Sequence, residues 1–263
     1  IENEINQAQQ VLGITLSERQ KQAVMMVFES TLSIITGGPG TGKTTVLKVI
    51  LYIHGLKCKT SVQLMAPTGR AARRMAESTG KEDASTMHMA LGLLGGSDYN
   101  LGFQYLEAEF LNVDEVSMVD MHLAYEFFSR VKDYARVLLL GDVDQLPSVG
   151  AGDVFRQLIG CGLIPVTVLD MVYRQGASSN IPVNANLIQQ NRTNLFMGED
   201  FIFVPCDGIE PTAEMVKKLY LEEVQKYGLE QVQILTSYRV KTAAGVVELN
   251  RTLEDLINPP TIG

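Results

Sequence analysis

The octapeptide GGPGTGKT, Gly37 to Thr44, follows the apolar run LSIIT and precedes the helical stretch TTVLKVILYIHG. That is the order of strand, glycine turn and helix that the GxxxxGK[ST] pattern requires. Glycines let the backbone curl until its N–H groups and the N-terminus of the following helix point at phosphate oxygens. Gly38, Pro39, Gly40, Thr41, Gly42 and Thr45 are read as the phosphate cradle, Lys43 as its cation and the Thr44 hydroxyl as a ligand of Mg²⁺. The implied ligand is ATP with Mg²⁺. Such a site also needs a carboxylate across the sheet, and the short run FLNV ends in Asp114 and Glu115. Asp114 is assigned to the metal and Glu115 to the attacking water as general base, because neighbouring residues at a strand end point in different directions. Asn112 is a polar residue in that apolar run with no role to assign. A further run, VLLL, ends in GDVDQ, where the Gln145 amide either senses the terminal phosphate or completes an ordinary turn. Downstream of Pro67, Arg70, Arg73 and Arg74 recur at i, i+3 and i+4 and share a helix face. It is either a track for backbone phosphates or a solvated face paired with Glu77.

These residues need a scaffold, and the apolar pattern supplies one. Glu2 to Leu12 and Ser17 to Phe28 carry apolar residues at helical spacing, with Ser17 and Gln20 in capping-box positions. Short apolar runs then alternate with helical patterns at Leu32–Thr36, Val62–Ala66, Phe110–Val113, Val137–Leu140 and Ile164–Leu169. The fold class is α/β, a P-loop NTPase with a mostly parallel sheet under covering helices. A Gly/Ser/Asn-rich stretch at 175–180 marks a boundary between a domain at 1–175 and a partial second one at 176–263. In the second, strands are expected at Phe201–Val204 and Val232–Thr236, and helices across Ala213–Tyr227 and Thr242–Ile257. A small insertion at about 95–106 reads as a hairpin or a loop. Hydrophobic residues make up 46% of the 263, enough to bury a core of this size. The net charge of −8 argues against a surface coated by nucleic acid, although a local basic groove still fits. The three cysteines show no paired spacing, and no apolar run reaches the roughly 18–20 residues that cross a bilayer. A cytoplasmic setting without membrane partners is expected.

Taken together, these motifs resemble superfamily 1 helicases of the 5′-to-3′ branch, and specifically the RecD/TraA family related to the exonuclease V alpha subunit. The resemblance rests on LSERQKQAV, GGPGTGKT, APTGRAARRM, STMH, VDEVSMVD, GDVDQLPSVGAGDVF and VYRQ, then on VNANLIQQ and LTSYRVKTAAGVVELN. DQLPSVGAGDVF together with YRQ is its specific part. It implies two RecA-like domains, the second truncated, and an ATP-dependent DNA helicase or translocase motor serving DNA repair or recombination. By similarity, Gln20 reads the adenine edge, Arg174 reaches the γ-phosphate and Arg239 faces the same cleft. Pro67, Thr68, Arg70, Arg73, Arg74, Thr86 and His88 are implied strand contacts, and 95–106 stands where the family carries a duplex-splitting pin. The implied partners are single-stranded DNA, duplex junctions and nuclease or recombination subunits. Because NPPTIG precedes the family's remaining motifs, the chain is expected to bind ATP and Mg²⁺ but to turn over weakly alone. The alternatives are a non-helicase P-loop ATPase and a non-catalytic DNA-binding subunit.

Overall fold

A computed structural model describes residues 1–58, 60–81, 83–93, 103–170 and 179–258. The chain divides into two compact units, Ile1–Ser179 and Asn180–Gly263. The first runs α1 (Glu2–Leu12), α2 (Glu18–Glu29), β1 (Leu32–Gly37), α3 (Lys43–Lys57), β2 (Val62–Ala66), α4 (Gly69–Thr79), β3 (Ser85–Thr86) and α5 (Met87–Ala90). It continues through β4 (Phe110–Val113), α6 (Met121–Phe128), β5 (Arg136–Gly141), α7 (Val154–Gly160) and β6 (Val166–Leu169).

All pairings in the sheet are parallel, in the order β3-β2-β4-β5-β1-β6. Parallel strands are covered on both faces, which is why they read as near-continuous apolar runs rather than as alternations. Successive residues do enter opposite layers: Leu138 and Leu140 pack with Val46, Ile50 and Leu64, whereas Leu139 packs with Ile34, Met65 and Phe127. One layer is built by α1 to α4 and the other by α5 to α7. Since every strand runs the same way, the segments after β1, β2, β3, β4 and β5 leave from a single edge of the sheet. Open α/β sheets bind ligands at that carboxyl edge. β5 lies between β1 and β4, so the acidic strand end is one strand removed from the glycine turn.

Helix ends follow local chemistry. The Ser17 hydroxyl accepts from the Gln20 N–H at 3.3 Å, and Gln20 Oε1 accepts from the Ser17 N–H at 3.0 Å, completing the capping box of α2. Thr68 caps α4 and Asp120 caps α6 through their side chains.

The second unit holds α8 (Asn180–Gln189), α9 (Ile209–Tyr227) and α10 (Val246–Ile257). Its two expected strands do not form: among the described residues, 201–204 contributes a single bridge, Gly198 to Phe201, and 232–236 joins no ladder. A strand is held by its neighbours, and here the apolar side chains stay exposed, Phe203 at 72% and Leu235 at 86%. Composition identified apolar runs but could not supply their pairing partners. Local order comes instead from Asn184, fully buried, whose amide donates to the Phe196 carbonyl at 2.7 Å and accepts from its N–H at 2.8 Å.

Phe110 tests the sheet core. It is buried on β4, and its ring centroid lies 5.1 Å from that of His54 on α3. Phe110→Ala leaves a cavity between sheet and helix and should lower unfolding stability by about 3–5 kcal/mol. A urea titration should show a lower midpoint with an unchanged slope.

Candidate nucleotide site

The glycine turn leaves β1 at Gly37 and enters α3 at Lys43. Gly42 caps the helix with φ of +87° and no side-chain cap, so the first N–H groups of α3 face outward unclaimed by a capping side chain. A Cβ at Gly42 would also sit 2.3 Å from Gln20 Nε2. That amide is a brace. Its Nε2 donates to the Thr41 carbonyl at 3.1 Å, while its Oε1 is held by Ser17. With one Oε1 lone pair and one amide hydrogen engaged, Gln20 keeps one hydrogen and one lone pair for a ligand. Thr41 Oγ1 donates to the Gly38 carbonyl at 2.8 Å, and Lys43 Nζ donates to the Gly37 carbonyl and, at 3.1 Å, to that of Gly38.

Asp114 follows β4. Its N–H donates to the Met65 carbonyl at 2.9 Å and its Oδ1 accepts from the Glu115 N–H at 2.8 Å. Glu115 adopts φ of +56°, in the left-handed region. For a residue with a Cβ this costs on the order of 1–3 kcal/mol and persists where the surroundings impose it. Glu115 thus departs from the extended backbone of β4. Burial, above all, pushes the Asp114 carboxyl up to about 6; the Glu115 charge adds to this, and Lys43 and Arg74 oppose it.

After β5, buried Asp142 organises the next turn: Oδ1 accepts from the Asp144 N–H at 3.0 Å and Oδ2 from Gln145 Nε2 at 3.3 Å. Thr36 Oγ1 accepts from the Val143 N–H at 3.3 Å and ties this turn back to β1. Gln145 thus has both a turn-forming bond and an exposed position on the site.

These pieces line one cavity of about 700 Å³, shared by Gln20, Gly38 to Thr45, Asp114, Glu115 and Gln145. The same cavity takes Ile14, Thr15, Ala71, Arg74, Met75 and Ser78. Sequence reading missed this last group except for Arg74, which it placed on the nucleic-acid track. A signal was present, since 71, 74, 75 and 78 follow the i, i+3, i+4, i+7 spacing of one helix face. Asn112 gains a partial account: it is fully buried, and its Nδ2 donates to Met75 Sδ at 3.3 Å. Nothing in the structure explains its unpartnered Oδ1.

The other implied strand contacts gather near β2 and β3. Ala66 is in register with Thr86, so Pro67 and Thr68 leave the sheet beside Thr86 and His88. Thr68 and Thr86 both use their hydroxyls as caps, for Ala71 N–H at 3.3 Å and Met89 N–H at 3.2 Å. Arg70, Arg73 and His88 are exposed. Arg239 is exposed in the second unit, where its carbonyl accepts from the Val247 N–H at 3.0 Å. Arg174 and most of the segment at 95–106 lie outside the described residues.

Thr44 and Asp114 fit a magnesium ion. Both line the cavity, where Asp114 is half-buried and supplies one carboxylate and Thr44 one hydroxyl. This suits an ion completed by phosphate oxygens and water.

Two measurements probe this geometry. Gly42→Ala meets both the positive φ and the Gln20 amide, and should cost about 2–3 kcal/mol of stability. Gly38→Ala points into open space and should stay within about 1 kcal/mol, both read by denaturant titration. The second concerns pH. Because the folded Asp114 carboxyl holds its proton to higher pH than the unfolded chain does, its cost is absent below about pH 4, grows through pH 4–6 and is complete above. Asp114→Asn should therefore stabilise the metal- and nucleotide-free protein at pH 7.5 by on the order of 2–3 kcal/mol, with the advantage gone below pH 4.

A family model described as an AAA domain matches residues 20–151. An ATP-dependent RecD2 DNA helicase of Deinococcus radiodurans is 37% identical, over 93% of this chain and 33% of that protein. A RecBCD enzyme subunit RecD of Haemophilus influenzae is 39% identical over 53% of this chain and 26% of its own length. The chain spans about a third or less of these two relatives. Among solved structures, the Pif1 helicase from Candida albicans superposes with a TM-score of 0.54 at 22% identity, covering 81% of this chain and 56% of that one, a likeness of fold. With its glycine turn, acidic strand end and parallel sheet, the chain belongs to the AAA-domain family, and in sequence it is similar to these two RecD proteins.

Proposed function

We propose that this chain is the ATP-driven motor core of a DNA helicase, moving 5′-to-3′ on single-stranded DNA in repair or recombination in the cytoplasm. The observation that carries this reading is the convergence of Lys43, Thr44, Asp114, Glu115 and Gln145 on one cavity. The Deinococcus radiodurans relative is named an ATP-dependent DNA helicase, and this chain's own groups suit phosphoryl transfer to water.

In this reading the α3 N-terminus and the glycine-turn amides hold the triphosphate, and Lys43 exchanges its carbonyl partners for phosphate oxygens. Thr44 and Asp114 hold Mg²⁺, which neutralises charge between the outer phosphates when bound. Glu115, which leaves the extended backbone of β4, orients water and accepts its proton. Gln145 contacts the terminal phosphate from the β5 turn, and Gln20 fixes the loop while offering its remaining hydrogen to the base. Arg174 and, from a partial second RecA-like domain at 176–263, Arg239 supply further cations at the γ-phosphate. Pro67, Thr68, Arg70, Arg73, Thr86 and His88 form the strand track beside β2 and β3, with 95–106 as the pin at a duplex junction. Nuclease or recombination subunits are the partners this role suits. Among the described residues no helix is long and apolar enough to cross a membrane.

Glu115→Gln in the intact protein should lower DNA-stimulated ATP hydrolysis by about 10²–10⁴-fold while leaving ATP affinity within about threefold. ATPase assays with and without single-stranded DNA, beside equilibrium binding of a fluorescent ATP analogue, give both numbers. Unchanged DNA-dependent turnover would overturn the role of Glu115 and with it the motor reading.

A further inference from the structure

We propose that Arg74 binds the nucleotide, its guanidinium taking the outer phosphates of ATP, and so does not belong to the nucleic-acid track with Arg70 and Arg73. The proposal rests on the ATP reading of the cavity and adds a recognition residue from a helix that the phosphate motifs do not include.

Three observations carry it. Arg74 lines the same cavity as Lys43, Asp114 and Glu115, on the helix face it shares with Ala71, Met75 and Ser78. Arg70 and Arg73 are absent from that lining although they sit on the same helix. Second, the position is fixed with respect to the acidic strand: Met75, the next residue, receives Asn112 Nδ2 at 3.3 Å, and Asn112 is two residues before Asp114 on β4. A third observation concerns charge. Among the described residues no carboxylate forms an ion pair with Arg74, whereas Lys21, Arg130, Lys132, Arg156 and Arg251 each have one. The Arg74 charge nonetheless reaches the Asp114 carboxylate electrostatically. A cation that forms no ion pair among the described residues and lines the same cavity as the Asp114 carboxylate is suited to a polyanion arriving there. Metal and carboxylate mark the β,γ end of a bound triphosphate, so the outer phosphates are the groups within its range. Guanidinium is the better cation for this purpose because its planar fork can meet two phosphate oxygens together.

The experiment is equilibrium binding of a fluorescent ATP analogue with Mg²⁺ to the 263-residue chain, comparing wild type, Arg74→Gln, Arg74→Lys and Lys43→Ala, with a thermal melt of each. Loss of a charge-assisted bond to phosphate predicts a 10- to 100-fold rise in Kd for Arg74→Gln, partial recovery with Arg74→Lys, and melts that match wild type because the side chain is exposed. Arg74→Gln binding within twofold of wild type, while Lys43→Ala fails to bind, would overturn the proposal and leave the ATP site standing. A weakened Arg74→Gln whose melt also falls, or which lysine does not improve, overturns it as well, since that marks a structural role. Lys43→Ala binding as wild type does would instead sink the nucleotide reading on which the proposal rests.

Discussion

A carboxylate must be held half-buried near a glycine turn whose helix N-terminus presents the positive ends of dipoles, and this constraint organises the first unit. Asp114 is half-buried, and desolvation above all pushes its carboxyl up to about 6. The protein offsets part of the cost with the Glu115 N–H, Lys43 and Arg74, but no direct ion pair among the described residues completes the compensation. Folding alone has no reason to favour such a residue. Binding does, because a half-buried carboxylate that is incompletely compensated gains most when a divalent cation and phosphates arrive. The parallel sheet is the scaffold that makes this possible: with β5 between β1 and β4, the carboxylate and the lysine-bearing turn leave the same edge without colliding.

Local rules are broken where the chemistry is concentrated. Glu115 takes a left-handed backbone that suits glycine, and so leaves the extended line of β4. Gln20 keeps the capping-box rule with Ser17 and also anchors the Thr41 carbonyl of the glycine turn. Sites of this kind keep strain that a purely structural turn would shed.

How much of this was legible in the sequence follows from how local each signal is. The glycine turn, the acidic strand end and the Ser17–Gln20 box are each encoded within a few residues, and the structure shows a strand, a turn and a helix where those residues predict them. The parallel order was legible as alternation, although the sequence could not say that β5 separates β1 from β4. That Arg74 lines the cavity was not legible for a different reason. A run of three arginines announces a charged helix, but which of them meets the cavity depends on how the helix is rotated on the sheet, and that is set by Met75 against Asn112, 37 residues away. The two apolar runs of the second unit failed for the converse reason: they carry strand composition, but a ladder is a property of neighbours and not of a segment.

Helix α4 shows what such a rotation does. Side chains on a helix are set ~100° apart per residue, so Arg74 stands ~40° from Arg70 and ~100° from Arg73. That is enough to put one guanidinium on the cavity and leave the others outside it. The helix is fastened at its start by the Thr68 cap after β2 and in its middle by Met75 on β4. Between these points its own hydrogen bonds make the backbone a stiff rod, so a shift of the backbone at Arg74 carries Arg70 and Arg73 with it, while each long side chain still turns on its own. If phosphate shifts the helix backbone at Arg74 and a nucleic-acid strand lies against the other two arginines, occupancy on one side is felt on the other as a displacement of the whole helix. Coupling of that kind needs only differential affinity at the two faces, which is the thermodynamic requirement for any motor that trades nucleotide for grip.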